Sequence, residues 1–143
     1  MTSTAEILKN TRTIAIVGMS DKPERASYEV AHVLQEAGYR IVPINPLLAE
    51  KQAVVLGEPV YADLVTAAQA LQAAGAAPID LVDVFRKSED VPPVAQQAVA
   101  IGAKTLWLQL GIGHPDAEAM AAQAGLNVVA NKCTKIEYYA LKR

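Results

Sequence analysis

Short apolar runs alternate along the chain with longer amphipathic stretches. The runs are four to six residues long and rich in valine, isoleucine and leucine, whereas the stretches span ten to fourteen residues with apolar side chains at helical spacing. This alternation is typical of βαβ units, in which each buried parallel strand is followed by a helix that covers it. Strands are predicted at 13–17, 40–44, 79–85, 104–108 and 127–130, with a short extended segment at 59–61.

Capping residues set the ends of the predicted helices. Ser3 and Glu6 form a capping box for a short first helix, and Thr134 and Glu137 form another for the last one. Ser27 is a plausible N-cap for the helix after the first strand, because its hydroxyl can accept a backbone N–H. The helices between are predicted at 27–37, 64–74, 92–101 and 115–124, each followed by a glycine.

The segment after the second strand has no clear periodicity. Asn45-Pro46 ends that strand, because proline donates no hydrogen bond and restricts the residue before it. Residues 47–58 are therefore predicted to form an irregular loop with a short extended piece at 54–56.

The predicted fold class is α/β. About five mainly parallel strands joined by right-handed crossovers give a Rossmann-like, doubly wound sheet with three αβα layers. A chain of 143 residues fits one domain, so residues 1–143 are expected to form a single unit. Such sheets bind ligands beyond the carboxyl ends of their strands, and the residues directly after each predicted strand are the ones to inspect.

Composition and charge narrow the possible partners. The net charge of −2 gives no basic surface for nucleic acid or an anionic membrane, so an anion site must be local. Cys133 is the single cysteine, which excludes an internal disulfide and a thiolate metal cluster and fits a cytoplasmic protein. The chain has no apolar run of about 18 residues and no secretion signal, so no membrane association is expected.

The first strand leads into the strongest candidate site. Residues 13–17 end at Gly18, and a polar loop carrying Lys22 and Arg25 follows before a helix begins. A glycine after a strand permits close backbone approach, and the N–H groups and dipole of the next helix attract a phosphate. A strand-to-helix turn with two solvated cations remains the simpler interpretation of these residues alone.

Two nucleotide-binding signatures are missing here. A single glycine replaces G-x-G-x-x-G, and residues 43–46 carry no carboxylate for ribose hydroxyls. Coenzyme A fits this pattern, since a carboxylate would repel its 3′-phosphate. An oxidoreductase-like enzyme that binds NAD(P) through a divergent loop stays open as the alternative, because Lys22, Arg25 and Arg86 can accept the 2′-phosphate of NADP.

Five segments in chain order carry a family resemblance. They are 17–28, 43–46, 80–86, 102–111 and 131–133. Together they resemble the small stand-alone CoA-binding domains, which are similar to the CoA-binding domain of the succinyl-CoA synthetase α-subunit and of nucleoside-diphosphate-forming acyl-CoA synthetases. The resemblance implies a Rossmann-type fold with CoA lying over the strand ends.

The same resemblance implies a set of cofactor-binding residues. Asn45 and Pro46 would lie beside the adenosine and its phosphate, Phe85 and Arg86 beside the diphosphate or the start of the pantetheine arm. Gln109 and Gly111 would lie near the adenine, and Asn131 and Cys133 towards the CoA thiol. The phosphate-binding loop would comprise Gly18, Met19, Ser20, Lys22, Pro23, Arg25 and Ser27.

Simpler roles compete with some of these assignments. Arg86 can form an exposed ion pair with Asp83 or Glu89, worth under about 1 kcal/mol. Cys133 can be an inert, half-buried thiol, or it can form a mixed disulfide with CoA under oxidation, which intact mass after treatment with oxidised CoA would reveal.

The sequence offers no catalytic constellation. His32 and His114 lie apart, with no triad partner beside either, and the chain stops before the domain in which the synthetases carry their phosphorylated histidine. No catalytic or metal-binding residue is therefore predicted. The expected function is non-catalytic binding of CoA or an acyl-CoA as a sensor, carrier or partner subunit, with an unidentified protein partner or a second copy possible.

Overall fold

Strands and helices alternate in the computed structural model of the chain, which describes residues 2–141. The strands are β1 Thr13–Val17, β2 Arg40–Ile44, β3 Val54–Val55, β4 Glu58–Pro59, β5 Leu81–Val84, β6 Thr105–Leu108 and β7 Asn127–Val129. The helices are α1 Thr4–Lys9, α2 Ala26–Glu36, α3 Pro46–Glu50, α4 Leu64–Ala73, α5 Val91–Ala100, α6 Pro115–Gln123 and α7 Thr134–Ala140, with a 3₁₀ turn Ser88–Asp90 before α5.

Five of the strands form one parallel sheet in the order β2-β1-β5-β6-β7. The chain passes from β1 to β2 on one side and returns to β5 on the other, so the strand order reverses at β1. The predicted α/β doubly wound sheet is confirmed. A ligand crevice is expected above the carboxyl ends of β1 and β5, where the order reverses.

The sheet separates two hydrophobic cores. Alternate residues of β1 point to opposite faces: Ala15 and Val17 pack towards α4, α5 and α6, whereas Ile14 and Ile16 pack towards α1, α2 and α7. All four residues of the central strand β5 are buried. The continuous apolar runs of the sequence thus correspond to strands covered on both faces.

The loop predicted at 47–58 is wrong at its start. Asn45 caps a short helix, α3, by accepting the backbone N–H groups of Leu47 and Leu48, and Pro46 occupies the first turn. The extended segments beyond it, β3 and β4, form an antiparallel hairpin outside the main sheet. Tyr61, which follows this hairpin, forms an isolated bridge with β2. It donates its N–H to Pro43 O at 3.0 Å and accepts the N–H of Asn45 at 2.9 Å.

The N-cap of one predicted capping box is confirmed, and the other box is wrong. Ser3 Oγ accepts the N–H of Glu6 at the start of α1. Thr134, by contrast, uses its hydroxyl to donate to Asp83. Ser27 is not the N-cap of α2 either, because it is the second residue of the helix and its buried hydroxyl accepts the N–H of Ser20.

No helix within residues 2–141 combines the length and the apolar character that crossing a bilayer requires.

Candidate functional site

The loop after β1 is held against β5 by the absence of a side chain at Gly18. Its φ is +87°, and a Cβ there would lie 2.5 Å from Phe85 O, inside any real contact distance. The N–H groups of Gly18 and Met19 both donate to Ile44 O, at 3.0 and 3.1 Å. Glycine therefore permits the loop after β1 to lie close to the backbone that follows β5, where the strand order reverses.

The rest of this loop satisfies its own polar groups. Ser20 N–H donates to Ser27 Oγ at 3.0 Å, and Lys22 N–H donates to Ser20 Oγ at 3.1 Å. Arg25, the N-cap residue of α2, provides no side-chain cap. As at any helix start, the N–H groups in the first turn of α2 have no partner within the helix. They lie at the positive end of the helix dipole.

A cleft of about 590 Å³ opens above this helix end. Three cations, Lys22, Arg25 and Lys51, line it against one acidic residue, Asp21. A protein with a net charge of −2 thus concentrates positive charge at one place on its carboxyl edge. The remaining lining residues are Gly18, Met19, Ser20, Ala26, Ser27, Asn45, Leu47, Leu48 and Phe85.

Asn45 connects the two walls of this cleft. Its Nδ2 donates to Met19 O at 2.8 Å, while its Oδ1 caps α3. One side chain therefore fixes α3, with Lys51 at its C-cap, relative to the loop after β1. The sequence assigned Asn45 to the ligand, and in the structure its amide groups bind the protein.

A second cavity, of about 400 Å³, lies on the opposite side of Gly18. Pro46 and Arg86 line it together with residues of α4 and α5. Arg86 Nη2 lies 3.2 Å from Asp90 Oδ2, and both side chains are about two fifths exposed, at 43% and 41%. The ion pair anticipated for Arg86 exists, but its partner is Asp90, the last residue of the 3₁₀ turn, rather than Asp83 or Glu89.

An apolar pocket of about 290 Å³ continues the cleft over β5 and β6. It shares Ala26 and Phe85 with the cationic cleft and Arg86 with the cavity beside α5. Its other lining residues are Val30, Gln109, Leu110, Ile112 and Cys133. The polar and apolar parts are therefore neighbours along the carboxyl edge of the sheet, and together they are called the groove below.

Beneath this pocket lies a closed polar cluster. Gln109 Nε2 donates to Asp83 Oδ1 and, at 2.9 Å, to Thr134 Oγ1, and Thr134 Oγ1 donates to Asp83 Oδ2 at 2.8 Å. Burial raises the pKa of Asp83 to about 7, although the two hydrogen bonds act to lower it. The cluster ties the centre of the sheet to the start of α7.

Two turns beside the pocket are joined to each other. Asn131 Oδ1 accepts the N–H of Gly111 at 2.7 Å, and both residues have a positive φ, +59° and +80°. Trp107 Nε1 donates to Lys132 O at 2.8 Å from within the core. The ends of β6 and β7 are thus held together where the pocket closes.

The structure brings together most of the residues that the sequence singled out. Pro23, Gly111 and Asn131 stand outside the linings described above, although the last two shape the adjoining turns. Gln109 lines the same pocket as Cys133 and is separated from Asn45 by the strands β1 and β5. Those that line the groove are Gly18, Met19, Ser20, Lys22, Arg25, Ser27, Asn45, Pro46, Phe85, Arg86, Gln109 and Cys133.

Sequence reasoning missed the contribution of α3. Leu47, Leu48 and Lys51 line the cationic cleft because residues 46–50 are helical. The signal was present in Asn45-Pro46, since asparagine at the N-cap and proline in the first turn mark a helix start. No local pattern pointed to the contact of Asp83 with Thr134, which are 51 positions apart.

Comparisons with known proteins agree with this architecture. A family described as "CoA binding domain" matches residues 12–139. The uncharacterized protein YneT of Bacillus subtilis is 36% identical over 137 residues, covering 96% of this chain and 93% of the relative. A structure from Thermus thermophilus is 31% identical with a TM-score of 0.85 over 98% of this chain and 99% of that one, and a hypothetical protein from Pyrococcus horikoshii OT3 is 34% identical with a TM-score of 0.83 over 98% and 90%.

Proposed function

Because the chain belongs to the family of CoA-binding domains, we propose that it binds coenzyme A along the carboxyl edge of its sheet. The observation that carries this proposal is the adjacency of a cationic cleft and an apolar pocket at the carboxyl edge of the sheet. The cleft lies at a helix N-terminus and shares Ala26 and Phe85 with the pocket. CoA has the same division, with phosphates at one end and a largely apolar pantetheine arm at the other.

The diphosphate binds at the start of α2. The unpaired N–H groups of the first helical turn meet it, and Lys22 and Arg25 supply the compensating charge. Ser20 and Ser27 hold the loop in the shape that leaves this helix end open. Pro23 fixes the exposed turn between Lys22 and Arg25.

The adenosine lies beside Asn45 and Pro46, with Leu47 and Leu48 of α3 forming an apolar side of its binding place. Lys51 follows α3 on the wall of the cleft. Its ammonium group meets the 3′-phosphate of the ribose. A lysine here, in place of the carboxylate that a nicotinamide dinucleotide site uses after the second strand, favours CoA.

The pantetheine arm runs past Phe85 and Arg86 into the apolar pocket. Gln109 and Cys133 line the inner part of this pocket. The thiol, or a short acyl group attached to it, lies towards Cys133. Gly111 and Asn131 contribute through the joined turns that close this end of the groove.

The protein binds CoA or an acyl-CoA and serves as a cytoplasmic sensor, carrier or partner subunit. It does not catalyse a reaction of the ligand. The positions of the histidines support a binding role. His32 lies 3.2 Å from Glu36 on the exposed face of α2, and His114 Nδ1 caps α6 by accepting the N–H of Ala117. Neither residue lines any part of the groove.

Calorimetric titration with CoA, dephospho-CoA, NADH and NADPH tests the proposal, after bound ligand has been removed. CoA is expected to bind more tightly than dephospho-CoA, and Arg25→Gln is expected to weaken CoA binding about tenfold or more. Lys104→Gln, at the opposite edge of the sheet, is the control and should bind as the wild type does. Binding of a nicotinamide nucleotide without CoA would refute the proposal and indicate the oxidoreductase-like alternative.

A further inference from the structure

The described residues form hydrogen bonds with the NH₂ group of the Gln109 side chain but not with its amide oxygen. Its Nε2 donates to both Asp83 and Thr134. Within residues 2–141 no hydrogen bond reaches its Oε1, and no fully buried side-chain oxygen of that part of the chain lacks a partner. Oε1 therefore keeps contact with solvent, although Gln109 as a whole is only 5% exposed.

The space that Gln109 borders is the apolar pocket over β5 and β6. The side chains around it are those of alanine, valine, phenylalanine, leucine, isoleucine and cysteine, with Arg86 at the opening. Arg86 carries only hydrogen-bond donors. The amide oxygen of Gln109 is therefore the strong side-chain acceptor that this pocket presents to a ligand.

Asp83 dictates which way the amide faces. Above its pKa of about 7, Asp83 is a carboxylate with no proton to donate, so the atom of Gln109 that faces it must then be the NH₂ group. Thr134 reinforces this orientation, because its hydroxyl accepts from Nε2 and donates to the second carboxylate oxygen. With Nε2 held on both sides, Oε1 is directed away from the cluster.

We propose that Gln109 Oε1 accepts a hydrogen bond from a secondary amide N–H of the pantetheine arm, and that Asp83 and Thr134 are positioning residues for it. This inference rests on the proposed function. The pantetheine arm carries two secondary amides separated by methylene groups, so it offers neutral donors within an apolar chain. An ionised phosphate or carboxylate group in the same place has no proton to donate, so it would form no hydrogen bond with the oxygen of Gln109.

The test is made at about pH 8, above the pKa of about 7 of Asp83, and compares CoA with two analogues, each having one of the two amide N–H groups replaced by an ester oxygen. Against the wild-type protein, at least one analogue is expected to bind about five- to tenfold more weakly than CoA, as the loss of one such bond predicts. Gln109→Met has a similar volume without the acceptor. In that variant the affinity ratio of CoA to the same analogue is expected to fall to about one.

A second variant examines the positioning role. Asp83→Asn allows either orientation of the facing amide, since asparagine both donates and accepts. The ratio of CoA to the analogue is therefore expected to lie between those of the wild type and Gln109→Met. Loss of packing alone would weaken CoA and the analogue equally and leave the ratio unchanged.

The outcomes separate this inference from the proposed function. If the wild type binds CoA and both ester analogues equally, the inference is overturned while CoA binding stands. A wild-type ratio that persists in Gln109→Met also overturns it. If the wild type does not bind CoA, the proposed function fails, and this inference with it. Should Gln109→Met fail to fold, the wild-type ratio and Asp83→Asn decide the matter.

Discussion

Asp83 should make the stability of the protein depend on pH across the neutral range. The carboxyl group is fully buried on the central strand, and desolvation is the main cause that raises its pKa from 3.8 to about 7. The donated hydrogen bonds of Gln109 and Thr134 favour the charged form and offset part of this shift. Replacing Asp83 by asparagine keeps the size of the side chain and removes its titration.

The sign and size of the effect follow from proton linkage. Between about pH 4 and pH 7 the folded protein keeps a proton on Asp83 that the unfolded chain releases, so stability falls as pH rises. The stabilising contribution is complete below about pH 4 and is lost above about pH 7. Between pH 5 and pH 8, the loss amounts to about 2 to 3 kcal/mol.

Urea unfolding of the wild type and Asp83→Asn at several pH values measures this loss. The stability of Asp83→Asn relative to the wild type is expected to rise by about 2 to 3 kcal/mol from pH 5 to pH 8. Taking the difference cancels the contributions of groups that titrate alike in both proteins. A constant difference for Asp83→Asn would refute the reasoning.

Further predictions concern the groove and its supports. Gly18→Ala should lower the unfolding free energy by about 2 kcal/mol or more, because a Cβ would meet a backbone oxygen at 2.5 Å. Gly75→Ala, with a similar positive φ and nothing within 4 Å, should cost about 1 kcal/mol in the same urea titrations. Lys51→Gln should reduce the preference for CoA over dephospho-CoA severalfold in calorimetry, whereas an unchanged preference would remove Lys51 from the 3′-phosphate site. Arg86→Ala should change the unfolding free energy by less than about 1 kcal/mol, since its ion pair is exposed.

Most of the main sheet could be predicted from local sequence, because β1, β5 and β6 are fully buried runs and β2 is buried after its first residue. The predicted bounds of β1 and β2 are confirmed exactly at 13–17 and 40–44. Longer strand predictions, such as 79–85 for β5, included flanking residues outside the register with β1 and β6, although Asp80 and Phe85 still donate backbone hydrogen bonds to Thr13 and Val17. Helix α3 was missed because five residues are too short to show a helical period.

Polar residues were harder to assign, because their partners are distant in sequence. Ser27 and Thr134 both have the chemistry of helix caps, but Ser27 accepts the N–H of Ser20 in the preceding loop and Thr134 donates to Asp83, 51 positions away. The position of Lys51 in the cleft could not be predicted, because helix α3 was not predicted. The contact between Gln109 and Asp83 depends on the alignment of β5 with β6, which sequence order alone does not give.

The proline of β2 has a consequence for how the sheet meets other molecules. β2 is an outer strand, and Pro43 carries no N–H, while its carbonyl and the N–H of Asn45 are already bonded to Tyr61. In a strand, the N–H and C=O of one residue point the same way, so the missing donor of Pro43 lies on the open side. This part of β2 lacks the free hydrogen-bonding groups that an extended segment from another chain would need in order to add a strand. The sheet is thereby protected on this side against growth into aggregates.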